Sequence, residues 1–102
     1  MTLSVAMDEI ATCLGEGLTP ELRSAVRNAR TPADFTALRL RLGRRVKEPR
    51  SRPPTLVDLV QLLEEALETP LAGLPWMEAN LPHLVACASE PGFTIGGGEK
   101  PS

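Results

Sequence analysis

The stretch TLVDLVQLLEEAL, Thr55 to Leu67, decides how this chain folds. Leu56, Leu59, Val60, Leu63 and Leu67 recur every three or four positions and share one helical face. Val57, Leu62 and Ala66 widen that stripe, so a central helix touched on several sides is expected. Asp58, Gln61, Glu64, Glu65 and Glu68 form its wet remainder, and Thr69-Pro70 ends it.

Upstream lies EPRSRPP, residues 48–54, whose three prolines cannot continue a helix and read as an exposed loop. Before it, Thr31-Pro32-Ala33-Asp34 opens a helix with a cap, a first-turn proline and a carboxylate near the positive end. Phe35, Leu38, Leu42 and Val46 make its buried face. Thr19-Pro20-Glu21-Leu22 repeats the grammar, with Leu22, Ala25, Val26 and Ala29 as the stripe. The first helix runs from Leu3 to Leu14, with Leu3, Ala6, Ile10, Cys13 and Leu14 on one face, and Gly15 and Gly17 stop it.

Downstream, Pro70, Pro75 and Pro82 divide the chain. The expectation is a turn at Leu71–Leu74, a helix at Pro75–Leu81 and a last helix at Pro82–Ser89. Leu81, Leu84, Val85 and Ala88 close the core, and Trp76 anchors that end. No strand signal competes. The pattern predicts an all-α fold: a single compact bundle of five to six short helices over residues 1–92. A Gly- and Pro-rich disordered tail or linker is expected at 93–102, because such a stretch buries too little surface to offset its ordering entropy.

The 102 residues suffice for one domain, and the 42% apolar share supports a modest core. With only Phe35, Phe93 and Trp76 as aromatics, that core is aliphatic. Cys13 and Cys87 read as small core residues in a reducing compartment. No apolar run approaches the length of a bilayer span, and no leader pattern is visible, so a cytoplasmic location is expected.

Charge is unevenly distributed. The net charge is −2, but residues 19–52 carry ten Arg and Lys against three acids, and residues 53–102 carry Lys100 against seven acids. A basic middle thus lies between acidic ends, which suits docking. Arg39, Arg41, Arg44, Arg45, Lys47, Arg50 and Arg52 fall within fourteen residues. Arg41, Arg44 and Arg45 cannot all point inward, so an outer basic face is expected.

Active-site chemistry finds little foothold. His83 is the only histidine, and with two distant cysteines it makes no zinc pattern. There is no serine elbow and no phosphate loop, and Gly96-Gly97-Gly98 follows no strand. Glu64 and Glu65 are adjacent on a helix and point in different directions. The expectation is a non-enzymatic domain without cofactor, metal or small-molecule substrate.

LTPELRSAVRNARTPADFTALRLRLGRRV (18–46), TLVDLVQLLEEA (55–66) and LPHLVACASEPGF (81–93) together resemble the bacterial effector-associated, death-like domains. These are six-helix adaptor modules found with proteases, gasdermins and nucleotide-binding defence proteins. The prolines at 53–54 and the lengthened 68–80 segment depart from that pattern. The resemblance implies homotypic assembly, a basic face meeting an acidic one.

A protein-interaction module is therefore expected, binding a protein partner or itself through complementary charged helix faces. Arg41, Arg44, Arg45 and Lys47 form the basic patch, and Asp58, Glu64, Glu65 and Glu68 the acidic one. The alternatives are a nucleic-acid-binding regulator using Arg39 to Arg52, through phosphate contacts, and a phage-type helical assembly chaperone or inhibitor.

Overall fold

A computed structural model describes residues 2–43, 55–69 and 71–96. Among them are five α-helices: α1 (Leu3–Leu14), α2 (Pro20–Asn28), α3 (Pro32–Leu42), α4 (Leu56–Leu67) and α5 (Gly73–Ala88). A single 3₁₀ turn, Gly15–Gly17, follows α1. No strand occurs among the described residues; Thr55 and Thr94 make an isolated parallel bridge. The fold is all-α, as the periodicity requires.

The helix starts follow from their caps. Thr2, Thr19, Thr31 and Thr55 each accept a backbone N–H of the first turn through their hydroxyl oxygens. Thr31 and Thr55 complete capping boxes with Asp34 and Asp58. Pro20 and Pro32 occupy first-turn positions, where a missing N–H has no partner to lose. Gly15 ends α1 at φ +54°, a conformation that disfavours a Cβ.

Packing runs in the spatial order α2, α1, α5, α4, α3. One aliphatic core joins them, with Met7, Ile10, Phe35, Leu38, Leu56 and Leu63 among its fully buried side chains. Helix α4 is the central element expected of its wide stripe, packing on both α3 and α5.

Four expectations are corrected. The split at Pro82 does not occur: α5 is one helix through that proline. Met77, Leu81, Leu84 and Ala88 are buried along its length, so packing outweighs the lost hydrogen bond. Pro82 and Glu78, whose carbonyl loses its ladder partner, are both exposed. Pro75 stands in the first turn and interrupts nothing. Second, Trp76 does not anchor the core; it is 40% exposed. Third, Cys13 is exposed and Cys87 half-buried, both as free thiols, and Met7 and Ala11 fill the inward face of α1 instead. Val46 lies outside the described residues.

The fourth correction concerns the tail. Phe93 is buried in the core, and residues 93–96 pack against the start of α4. The amides of Leu56 and Val57 donate to the carbonyls of Thr94 (2.8 Å) and Ile95 (3.2 Å). A helix leaves its first amides without internal partners, and here that end is buried away from water. The C-terminal segment supplies the missing acceptors, which is why Thr94 and Ile95 are held against α4. The remainder of the expected tail, 97–102, lies outside the described residues.

Candidate functional site

The expected charged faces can be placed residue by residue. Arg41 is exposed on α3. Arg44, Arg45 and Lys47 lie outside the described residues. Glu65 is exposed on α4, and Glu68 is exposed at its C-cap. Asp58 and Glu64 are not surface groups: they are 6% and 2% exposed. Both must therefore be removed from the docking patch.

The reasons are local. Asp58 Oδ2 accepts the Thr55 amide at 2.8 Å and the Thr55 hydroxyl at 3.1 Å, so the carboxylate is consumed by the cap of α4. Glu64 faces α3, where Arg39 Nε donates to its Oε1 at 2.8 Å and Arg39 Nη2 to its Oε2 at 3.3 Å. The Thr36 hydroxyl donates to Oε2 at 2.5 Å. Arg39, a member of the basic run, is thus bound within the domain, and its guanidinium is held above the ordinary arginine value, first by the Glu64 hydrogen bonds. Because α3 and α4 pack together, part of the basic face and part of the acidic face neutralise one another.

Two surfaces that sequence reasoning did not single out emerge from the fold. The first is a groove of about 310 Å³ at the corner between α4 and α5. Leu62, Ala66 and Thr69 form one wall, Ala72, Gly73 and Trp76 the other, and Glu65 lies at its edge. Leu62 and Trp76 are 41% and 40% exposed. Leu71 and Leu74, neighbours in sequence, are exposed as well. The corner is tight because Gly73 passes directly over the Ala66 carbonyl, where a Cβ would collide with it. The sequence counts Leu62 in the stripe that buries α4, but no described element covers it and it stands at the groove instead; proline punctuation obscured the helical setting of Trp76.

The second is a cleft of about 600 Å³ between α1 and α2. Arg23, Arg27 and Arg30 line it with Asp8, Ser4 and Ser24. The spacing of Arg23, Arg27 and Arg30 puts them along one side of α2 and its exit, a signal that was present in NARTPAD and its preceding turn but overshadowed by the denser run after Leu38. A smaller crevice between α2 and α3 carries Arg41 and shares Asn28 with this cleft, so the basic surface is continuous across α2.

Other chemistry-bearing groups are dispersed. His83 is exposed on α5. Cys87 has its thiol pushed up by burial, with Glu90 and Asp58 adding to the effect. No cluster of His, Cys, Asp or Glu fit to hold a metal occurs among the described residues. No helix of the described residues is long and apolar enough to cross a membrane.

Comparison with family models, with curated proteins and with solved structures returns no match to this chain. The geometry of its own surfaces therefore carries the functional reading.

Proposed function

We propose that this domain is a non-catalytic interaction module that associates head to tail with a second copy of itself. The observation that supports this is the α4–α5 groove, where Trp76 and Leu62 remain in water beside apolar walls. Large aromatic side chains at such places concentrate binding energy. Glu65 and Glu68 give the groove an acidic edge. The complementary surface belongs to the same chain: Arg41 on α3, in the basic middle of the sequence. Because groove and basic surface are different patches, the contact is heterologous and leaves one of each open on a dimer. Adaptor recruitment of this kind is what the resemblance to death-like domains implies.

The test is light scattering over a concentration series. Wild-type protein self-associates. Trp76→Ser alone is monomeric, and so is Arg41→Glu combined with Arg45→Glu. Mixed one to one, the two variants form dimers and nothing larger, because each retains one intact surface. A wild-type chain that stays monomeric up to its solubility limit removes the reading.

A further inference from the structure

We propose that the α1–α2 cleft is a receptor for a phosphate monoester, held by Arg23, Arg27 and Arg30. This does not rest on self-association, which uses the α4–α5 groove and Arg41.

Three observations lead to it. The first is charge. Three guanidinium groups line the cleft against the carboxylate of Asp8, with that of Asp34 also acting on Arg30, so positive charge stays in excess. A phosphate monoester carries about −1.5 to −2 near neutral pH, whereas a phosphodiester or a carboxylate carries about one. The monoester, the more highly charged anion, gains most from that excess.

The second is donor availability. Arg23 is anchored by Nη2, which donates to the Gly15 carbonyl at 2.6 Å, at the C-terminal end of α1. Its Nε is buried and has no acceptor among the described residues. An unpaired buried donor on a charged group is costly and asks for an acceptor oxygen. Arg30 is likewise positioned: its Nη1 donates to the carbonyls of Arg27 and Ala29, and its Nη2 to the Ser4 hydroxyl at 2.9 Å. Both guanidinium groups are oriented by backbone before any ligand arrives, so little side-chain entropy remains to be lost on binding.

The third is the competing partner. Arg27 Nε donates to Asp8 Oδ1 at 2.7 Å, but both side chains are more than half exposed. Such pairs contribute little, so a dianion can take Arg27 from Asp8. The cleft then presents guanidinium donors of three arginines, whose charge-assisted hydrogen bonds suit a phosphate oxyanion.

The experiment follows the arginine Nε–Hε resonances by NMR at low salt, while inorganic phosphate is added to the full chain. Saturable shifts are expected at Arg23, Arg27 and Arg30, with Arg41 as the exposed control. Arg30→Gln weakens binding about tenfold, the effect of one charge-assisted contact. Asp8→Asn, which removes the competing carboxylate and leaves the guanidinium groups in place, strengthens it several-fold. Binding weakens from pH 7.5 to pH 5, because inorganic phosphate loses its second charge as pH falls through neutrality, and a monoester does so near pH 6.

O-phosphoserine and a nucleoside monophosphate then distinguish the source: preference for the first assigns the site to a phosphorylated polypeptide, for the second to a nucleotide. Shifts of equal size at Arg41 overturn the proposal, since they report general attraction only. So does Asp8→Asn without effect, or a DNA duplex that binds more tightly than either monoester at the same salt. Arg23→Gln is avoided as the decisive variant because the Gly15 contact ties Arg23 to the fold.

Discussion

Glu64 shows how one residue redirects a surface. By sequence it belongs to the polar side of α4, yet it is buried and bonded to Arg39 and Thr36 of α3. Taking a carboxylate and a guanidinium out of water is unfavourable unless each satisfies the other, and this pair does so with two hydrogen bonds. Glu64→Gln keeps the shape and removes the charge that compensates Arg39. Urea unfolding is expected to show a loss of about 3 kcal/mol; a loss below about 1 kcal/mol would place the pair with ordinary surface contacts. Asp34 makes the opposite case, an exposed group with a local duty. Its carboxyl is held below the usual aspartate value, first by the Arg30 amide and then by that of Thr31. A lowered folded value means that the stabilisation is present above the unfolded value and disappears as pH falls through the folded one. Side-chain carbon NMR should show Asp34 titrating below ordinary aspartates, and Thr31→Ala should reduce the difference; an ordinary midpoint removes the capping box as the cause.

At the scale of elements, α5 is the informative case. Its three-proline neighbourhood reads as fragments, but a helix continues wherever buried contacts on both sides of a proline outweigh one missing bond. The α4–α5 corner rests on Gly73, whose amide donates to the Thr69 carbonyl at 2.5 Å and whose Cα faces Ala66. Gly73→Ala forces the two helix ends apart, at about 2 kcal/mol. The same change reshapes the groove, so Trp76 fluorescence should shift with it. A variant with wild-type stability and an unaltered indole spectrum would show that the corner is less tight than its geometry. The starts of α1 to α4 pose no such problem, because their caps are written in adjacent residues, although α3, read as far as Val46, ends at Leu42 with Gly43 as its cap.

At the scale of the molecule, the chain's last described residues complete its interior. Phe93 enters the core, and the carbonyls of Thr94 and Ile95 receive amides of a buried helix start. A chain ending at Gly92 loses all three at once. Thermal and urea unfolding should register a loss of at least about 3 kcal/mol, the scale of a deleted core phenylalanine. Phe93→Ala separates the packing part from the hydrogen-bonding part. If the shortened chain melts with the full one, the segment is an ornament of the fold. Molecular scale is also where charge acquires its meaning. Segregation along the sequence suggested two opposed outer faces, but α3 lies on α4, and Arg39 meets Glu64 inside the domain. The basic surface that remains centres on α2 and Arg41, and includes the cleft around Arg23, Arg27 and Arg30.

The sequence by itself determined the helical class, the bounds of α1 and the caps of α2, α3 and α4. It also determined most of the aliphatic core, since Ile10, Val26, Phe35, Leu38, Leu59 and Leu63 recur at helical spacing. Those features depend on residues within a turn or two of each other, and local chemistry is legible in order along the chain. Tertiary structure alone decided that α5 is continuous, that Phe93 is core, that Glu64 is buried, and that Trp76 stands at a groove. Each of these depends on which element lies across from it, and periodicity says which side of a helix is apolar without saying what will cover it.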